Sequence, residues 1–439
     1  MTDEDVVTRL LAGDPTLFKG ATATHALGWL RHPERYADAW LDNVNALRPR
    51  RHDRTLLLGM GGSSSPARLF AEGRSTSALT VLDTSNPDTV DTTSFEEANV
   101  IASSKSGATI ETQTLLAHAL ANGLEAADLV IITDPGTSLE ELGRSLGAMV
   151  FVGDVDTGGR FSALSPFGLI PALYAGWSVD ELRHELEHAR LTHDLAVRAV
   201  NHADALAVTI AHGSSSFALG ADPITSGGAL WLEQLVAETT GKGGRGFIPM
   251  IEGQMQDYRP SDTMYFQLVA ALLARHLDVD PFDQPDVESA KRGVFALLAN
   301  DVSWDATEVD RPSMHRALHE SAYVALQAYA PLERSEDVAH LRTRCEAAFG
   351  PTTANLGPRY LHSTGQLHKG GPADVVAVQV VVRPVSAPRR IAGRRYSFHD
   401  LHMAQARSDQ DAMRSAGRQS FQVVVDDVEE AASVLGLGS

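Results

Sequence analysis

The chain of 439 residues is 43% hydrophobic and 21% charged, a composition typical of a soluble globular protein with two or three domains and a large core. Its formal net charge of −19 argues against nonspecific nucleic-acid binding, which needs a basic surface. The single cysteine, Cys345, excludes an internal disulfide framework and fits a reducing cytoplasm.

The sequence shows neither a secretion signal nor a membrane span. Its acidic start, Thr2 to Asp5, lacks the basic region and the apolar core of a signal peptide. The longest apolar runs are interrupted by glycine, proline or charge, so none reaches the length that crosses a bilayer. We therefore predict a cytoplasmic protein with no membrane partner and no nucleic-acid partner.

The first part of the chain, residues 1–48, has apolar residues at helical spacing and is predicted to be a helical segment. From Thr55 onwards, short apolar runs alternate with helix-length stretches, which is typical of a parallel α/β sheet. We expect a first α/β domain over residues 49–177. Its predicted strands are Thr55–Leu58, Leu79–Leu82, Val100–Ala102, Leu129–Ile132 and Met149–Val152.

A polar stretch rich in acids and histidines, Ser178–Asp204, is predicted to be one long helix within a linker over residues 178–212. A second α/β domain is predicted over residues 213–385, followed by a C-terminal arm over residues 386–439. The elements predicted in these last two parts are strands at Phe247–Met250, Val375–Val382 and Phe421–Val425, and a helix at Leu401–Gly417.

Two turns rich in glycine and serine each follow a predicted strand and precede a predicted helix, the position at which open α/β sheets bind ligands. The turn Gly59–Ser63 could wrap its backbone around a sugar, although an ordinary tight turn could have the same sequence. In Ser104–Thr109, hydroxyls, a lysine and the N–H groups of a helix start surround one point, as a phosphate requires. The alternative for this second turn is a serine-capped helix with an exposed lysine.

A third segment, Gly158–Gly168, combines a Gly-Gly step, Arg160 and two hydroxyls ahead of the apolar run Leu169–Ala175. Neither glycine has a Cβ, so the backbone can approach a ligand closely. The planar guanidinium offers five donors in a geometry suited to oxyanions. In isolation, the same segment would fit a loop-to-helix junction with a solvated arginine.

Glu238 is the candidate for proton transfer. It ends a predicted helix, Leu230–Glu238, one turn after Gln234. A carboxylate buried near a substrate carbon could act as a general base. A single glutamate on a helix is more commonly a solvated surface charge, so this prediction depends on its context.

Two later segments hold further candidates. Pro281–Lys291 predicts a turn that opens a helix, with Gln284 and Lys291 two turns apart on one face, or else a plain surface helix. Tyr360–Gly371 brings two histidines together with hydroxyls and glycines. A histidine beside a hydroxyl, such as His362, could act as an acid near neutral pH, and the alternative is a structural histidine.

A competing motif is His184-Glu185-Leu186-Glu187-His188, which fits the pattern of a zinc protease. The surrounding helix is highly charged, whereas such a site needs a walled cavity, and no third ligand follows at a familiar spacing. We therefore do not expect a metal site here.

Together these segments resemble the glucose-6-phosphate isomerase family, from about Leu56 to Gly371. The final third is most similar to the isomerase half of fused transaldolase–isomerase proteins, in which the histidine motif also follows the lysine motif. The resemblance implies an α/β protein with two sugar-isomerase (SIS) domains, each built on a doubly wound parallel sheet. It also implies a homodimer whose active site includes residues from both subunits.

The resemblance also implies a role for each candidate residue. Glu238 matches the catalytic base, Arg160 the arginine that stabilises the enediolate, and Lys291 and His362 the groups that open the sugar ring. The positions that match substrate or phosphate contacts are Gly62, Ser63, Ser104, Lys105, Ser106, Thr109, Gln234 and Gln284. Ala108 departs from the family, which often has threonine there. The segment Phe247–Ala270 fits the family poorly, which leaves the identity of the sugar less defined than the reaction.

The implied reaction is the reversible isomerisation of glucose 6-phosphate to fructose 6-phosphate, by ring opening and a cis-enediolate. It needs no nicotinamide because no redox change occurs, and we expect no metal because an arginine can hold the oxyanion. One alternative is an isomerase of another aldose phosphate, such as mannose 6-phosphate. Another is a noncatalytic phosphosugar sensor, although Glu238, Arg160, Lys291 and His362 together favour catalysis.

Overall fold

The computed structural model describes residues 2–21, 27–47, 50–72, 74, 78–211, 216–253, 258–299 and 309–438. Its strands are β1 (Arg54–Gly59), β2 (Leu79–Leu82), β3 (Ala98–Ser103), β4 (Leu129–Thr133), β5 (Met149–Val152), β6 (Ser216–Ala218), β7 (Ile248–Met250), β8 (Tyr323–Tyr329), β9 (Thr352–Leu356), β10 (Val375–Val382) and β11 (Gln419–Val425). Its α-helices are α1 (Asp3–Leu11), α2 (His32–Tyr36), α3 (Ala39–Leu47), α4 (Ser65–Ala71), α5 (Pro87–Thr92), α6 (Ile110–Ala121), α7 (Ser138–Leu146), α8 (Pro166–Tyr174), α9 (Val179–His188), α10 (His193–Ala211), α11 (Gly227–Thr240), α12 (Thr263–His276), α13 (Glu288–Ala299), α14 (Arg311–Glu320), α15 (Ser335–Phe349), α16 (Gly365–Gly370), α17 (Phe398–Ser415) and α18 (Val428–Val434).

The first sheet is parallel and has the strand order β2-β1-β3-β4-β5. All five strands predicted for this region are confirmed. β1, β3 and β4 are almost wholly buried, which explains why their sequences are continuous apolar runs rather than alternating ones. The loops that follow β1 and β3 carry the two predicted ligand-binding turns.

The second sheet is also parallel, with the order β11-β10-β8-β9, and β6 and β7 form a separate parallel pair. The α/β class with two parallel sheets is therefore confirmed. β8 and β9 were not predicted. The prediction that places the strand Phe421–Val425 in a C-terminal arm is wrong. The strand found there, β11, pairs with β10 along its whole length and completes the second sheet.

The prediction of one long polar helix over Ser178–Asp204 is wrong, because this stretch forms two helices, α9 and α10. The side chain of Thr192 accepts the N–H of Leu195 and thereby starts α10. Both helices are amphipathic, and residues such as Leu182, Leu186 and Ala199 are buried in the core. The domain boundaries predicted at residues 48–49 and 212–213 lie outside the described residues.

The described part of residues 1–48 contains the helices α1, α2 and α3, and α2 anchors the loop after β5. Tyr36 donates a 2.5 Å hydrogen bond to the carboxylate of Asp154, and Nε2 of His32 lies 3.2 Å from the same carboxylate. The ring of Trp29 stacks on Phe161 with 4.9 Å between centroids. These contacts fix the loop that carries Arg160.

Among the helices of the described residues, none combines the length and the apolarity needed to span a membrane.

Candidate active site

A cavity of about 550 Å³ lies at the carboxyl ends of the first sheet, between that sheet, α11, α13 and the turn that precedes α16. All the residues predicted as site residues line it, except Ser104. They are Gly62, Ser63, Lys105, Ser106, Thr109, Arg160, Gln234, Glu238, Gln284, Lys291 and His362. One chain therefore brings together residues that are up to 300 positions apart in the sequence.

The hydroxyl-rich turn after β3 forms one wall of the cavity. Gly107 has φ +65°, a conformation that favours glycine, and reverses the chain ahead of α6. The N-cap residue of α6, Thr109, makes no side-chain cap hydrogen bond, so N–H groups at this helix start can donate to an anion. Ser104 lies behind Thr109, with 2.8 Å between the two hydroxyl oxygens, so it orients Thr109 rather than lining the cavity.

Lys105 lies in the same turn but is already engaged by an acid. Its ammonium is 2.6 and 2.8 Å from the two carboxylate oxygens of Asp134 and donates to the backbone carbonyl of Asp154 at 2.5 Å. Burial raises the pKa of Asp134, and the lysine opposes that effect. Because an ammonium has three N–H groups, Lys105 has at most one left for a phosphate. Hydroxyls and helix N–H groups therefore form most of this wall.

Glu238 lies on α11, whose residues from Gly228 to Thr240 are all buried. Nε2 of Gln234, one turn earlier, donates to Oε2 of Glu238 at 3.2 Å. The hydroxyl of Ser65 donates to Oε1 of Gln234 at 2.7 Å and so fixes the orientation of that amide. A buried carboxylate held in one direction beside a cavity is suited to general-base chemistry.

Arg160 contacts both the base and the turn opposite. Its Nε lies 3.1 Å from Oε2 of Glu238, and Nη1 donates to the Glu238 backbone carbonyl at 2.7 Å. Further donors reach the carbonyls of Pro281 at 3.0 Å and Asp283 at 3.1 Å. Three of its five N–H groups therefore donate to backbone carbonyls and Nε faces the Glu238 carboxylate, so among the described residues one N–H on Nη2 is left for a substrate oxyanion.

His362 pairs with an acid, Glu111, that was not predicted as a site residue. Its Nε2 lies 3.0 Å from Oε1 of Glu111, which also accepts a hydrogen bond from Nε2 of Gln405 at 2.6 Å. Burial favours a higher pKa for Glu111, but the charge and hydrogen bond of His362, with the residue's own backbone N–H and the charge of Lys291, together hold that pKa below its usual value. Glu111 follows Thr109 by two positions, so its place in the same short motif was the available signal.

Gln284 and Lys291 both line the cavity, but they do not share a helix as predicted. Gln284 precedes the 3₁₀ turn Pro285–Val287, and Lys291 lies on α13. The prediction of one common helix face is therefore wrong, because Pro285 starts a separate short turn. The carbonyls before this turn are held by Arg160, which places Gln284 against the cavity.

In the competing zinc-protease motif, the carboxylate of Glu185 is already engaged by other residues. Glu185 is buried, and its oxygens accept from Arg259 at 2.6 Å and from the N–H of Ser261 at 2.9 Å. His184 and His188 are exposed on α9. Within the part of the chain that the structure describes, no group of three or more histidine, cysteine or acidic side chains could hold a metal ion.

No family model matches the chain. It is 32% identical over 141 residues to the glucose-6-phosphate isomerase of Campylobacter jejuni, which covers 29% of this chain and 35% of that protein. The enzyme of the same name from Rubrobacter xylanophilus is 31% identical over 210 residues, covering 44% and 46% of the two chains. That of Exiguobacterium sibiricum is 27% identical over 257 residues, covering 51% and 57%.

The chain thus spans between about a third and just over half of the length of these curated relatives. Over these parts it is similar to proteins named glucose-6-phosphate isomerase. Among solved structures, a glucose-6-phosphate isomerase of Chlamydia trachomatis is 14% identical, with 99% of this chain and 77% of that chain covered and a TM-score of 0.37. A hypothetical protein of Thermus thermophilus is 20% identical, with 99% and 86% covered and the same TM-score. These scores are too low to add to the argument.

Proposed function

We propose that this chain is an aldose–ketose isomerase that interconverts glucose 6-phosphate and fructose 6-phosphate. The observation that supports this most is the carboxylate of Glu238, which Gln234 and Arg160 hold beside a cavity whose other wall is an uncapped helix start. Proton transfer on a sugar phosphate requires both a base and an anion cradle in one enclosure. The names of the curated relatives agree with this reaction.

In this proposal the phosphate binds at the start of α6. The hydroxyls of Ser106 and Thr109 and the first N–H groups of the helix donate to its oxygens. The Ser63 hydroxyl accepts the N–H of Lys105 at 3.2 Å, which holds the two glycine- and serine-rich turns together around the ligand. Because Lys105 is paired with Asp134, binding depends on short-range hydrogen bonds rather than on a strong local positive charge.

Ring opening comes first when the substrate is the cyclic sugar. A proton leaves the C1 hydroxyl, the bond between C1 and the ring oxygen breaks, and that oxygen takes up a proton. His362 and Lys291 are the proposed groups for these transfers. Glu111 orients His362 through the 3.0 Å contact.

Isomerisation follows on the open chain. Glu238 removes the proton from C2, the electron pair forms the C1–C2 double bond, and the carbonyl electrons move onto O1 to give the enediolate. The remaining N–H of Arg160 stabilises this new charge. Glu238 returns its proton to C1 while the O2 proton passes to O1, so the ketone forms at C2. Atoms and electrons balance within the sugar.

The finer parts of this assignment also remain proposals. They are the choice of glucose 6-phosphate over another aldose phosphate such as mannose 6-phosphate, the homodimer with a shared active site, and the cytoplasmic location. The closer likeness to the isomerase half of fused transaldolase–isomerase proteins also remains a prediction.

The proposal is tested with purified protein, fructose 6-phosphate and an assay coupled to the formation of glucose 6-phosphate, beside a parallel assay with mannose 6-phosphate. We expect the wild-type protein to convert fructose 6-phosphate to glucose 6-phosphate, and we expect Glu238→Gln to lose this activity. The exposed residue Glu187 provides a matched control, since Glu187→Gln should keep full turnover. Binding of hexose 6-phosphates without turnover of either sugar would instead identify a sensor.

A further inference from the structure

Gln366 is a fully buried amide on α16 whose hydrogen bonds join two parts of the active site. Its Nε2 donates to the backbone carbonyl of Gly241 at 2.9 Å and to Oδ2 of Asp286 at 2.5 Å. Its Oε1 accepts the backbone N–H of Asp286 at 3.1 Å. The amide nitrogen and the amide oxygen of Gln366 are therefore both hydrogen-bonded, and their partners lie on two other segments of the chain.

Each partner segment carries residues of the proposed reaction. Gly241 is the C-terminal cap of α11 and follows Glu238 by three residues. Asp286 lies between Gln284 and Lys291, in the 3₁₀ turn that precedes α13. The amide of Gln366 therefore connects the helix that holds the base with the segment that holds two other residues of the cavity.

The segments around this amide approach each other too closely to admit a side chain at Gly370 or Gly241. A Cβ on Gly370 would overlap the carboxylate of Asp286 and would lie 2.7 Å from Nε2 of Gln366 and 2.8 Å from the Gly241 carbonyl. A Cβ on Gly241 would lie 2.5 Å from Cα of Leu367. Two glycines thus permit the close approach that the hydrogen bonds of Gln366 require.

We propose that Gln366 is a positioning residue that fixes Gln284 and Lys291 relative to Glu238, and that it acts on sugar recognition and ring opening rather than on phosphate binding. This inference builds on the proposed function. An amide is required because the site needs donors toward two oxygens and an acceptor toward one N–H. A carboxylate in the same place would face both the Asp286 carboxylate and the Gly241 carbonyl.

The test compares Gln366→Met, which keeps the length but removes the hydrogen bonds, with the wild-type protein. We expect at least a tenfold lower affinity for fructose 6-phosphate and a larger loss of glucose 6-phosphate turnover than of C1 proton exchange from the ketose. Affinity for inorganic phosphate should stay unchanged, because the hydrogen bonds of Gln366 go to Gly241 and Asp286 and not to the start of α6. Gln267→Met is the matched control, since Gln267 is a buried glutamine on α12 that does not line the cavity.

A second pair of variants separates positioning from a general loss of structure. Gln366→Glu should be impaired more than Gln366→Met, and adding Asp286→Asn should restore part of its sugar affinity by replacing one repulsive contact with a hydrogen bond. If Gln366→Met does not fold, Gln366→Asn, whose shorter amide cannot reach both partners, takes its place.

Equal losses of affinity for fructose 6-phosphate and for inorganic phosphate, or no loss of either in a folded variant, would overturn the inference. If the wild-type protein binds hexose 6-phosphates without turnover, the proposed function fails. In that case, the affinities of Gln366→Met for fructose 6-phosphate and for inorganic phosphate, each compared with the wild type, still test the role of Gln366.

Discussion

Arg160 and Glu238 form a buried ion pair in which the arginine also holds the backbone of its partner. Nε of Arg160 lies 3.1 Å from Oε2 of Glu238, and Nη1 donates to the Glu238 carbonyl. The guanidinium therefore fixes the carboxylate and the last turns of α11 at once. The same cation that would stabilise the enediolate thus also aligns the base that forms it.

We expect Glu238→Gln to abolish most isomerisation while leaving the fold and inorganic phosphate binding intact. Glutamine retains the shape and an acceptor for Arg160 but cannot take up the C2 proton, and general acid–base catalysis contributes about 10²–10⁴-fold. Deuterium incorporation from solvent into the product should disappear together with turnover. A variant with a near-normal rate would remove Glu238 from the mechanism.

Arg160→Lys should fail to replace arginine, although the charge is kept. A lysine has three donors on a single nitrogen and cannot reach Glu238, Pro281 and Asp283 together. We expect both C1 proton exchange and full isomerisation to fall, and the melting temperature to decrease. The exposed Arg198 provides a control, because Arg198→Lys should change neither measurement. Exchange at the wild-type rate would show that Arg160 has only a structural role.

Ser104 and Thr109 should act as one unit in phosphate binding. Ser104→Ala removes the hydroxyl that orients Thr109, and Thr109→Val removes the hydroxyl that lines the cavity. A hydrogen bond to a charged group contributes about 1.5–3 kcal/mol. Because the two hydroxyls are in contact, the double variant should lose less affinity for inorganic phosphate than the two single losses added together. Strict additivity would contradict the contact.

His362→Ala and Glu111→Gln should give the same type of defect, because Glu111 orients His362. Both should slow the reaction of cyclic glucose 6-phosphate much more than the exchange of the C1 proton of open-chain fructose 6-phosphate, in which Glu238 and Arg160 act but His362 does not. The measurement is the ratio of the two rates. If His362→Ala lowers both rates equally in an intact protein, His362 has no special part in ring opening.

Glu233 should make the stability of the protein depend on pH between about 4.5 and 8. It is buried beside Asn355, whose Nδ2 donates at 2.6 Å, and burial raises the pKa of its carboxyl to about 8. Because the folded pKa lies above the ordinary glutamate value of 4.5, the stabilising contribution of the protonated carboxyl is complete below that pH. That contribution is lost as the pH rises toward 8.

Glu233→Gln mimics the neutral form and should remove this dependence. We expect the melting temperature of the variant to exceed that of the wild type by an amount that grows from pH 5 to pH 8. Glu187→Gln, at an exposed position, should show no such trend. A constant difference across this range would mean that Glu233 is ionised in the folded protein.

Several parts of this protein could be read from the sequence because they depend on local pattern. The five strands of the first sheet are short apolar runs ended by glycine, serine or aspartate, and each occurs as predicted. The Ser104–Thr109 turn and the Gly158–Gly168 segment could be recognised because hydroxyls, glycines and a cation are adjacent along the chain. The residues of the candidate site were predicted from such local segments and from the family resemblance, but their meeting at one cavity, apart from Ser104, is a property of the tertiary structure.

Only the tertiary structure decided which partners these residues have. Glu111 and His362 are 251 positions apart, and Arg160 and Glu238 are 78 apart, so no local pattern can reveal either pair. β11 is a further example. The sequence predicts it as a strand in a C-terminal arm, and only its hydrogen bonds to β10 show that it belongs to the second sheet. Sequence spacing determines which secondary structure a segment can form. The free-energy cost of burying unpaired charges and backbone groups determines where that segment packs in the fold.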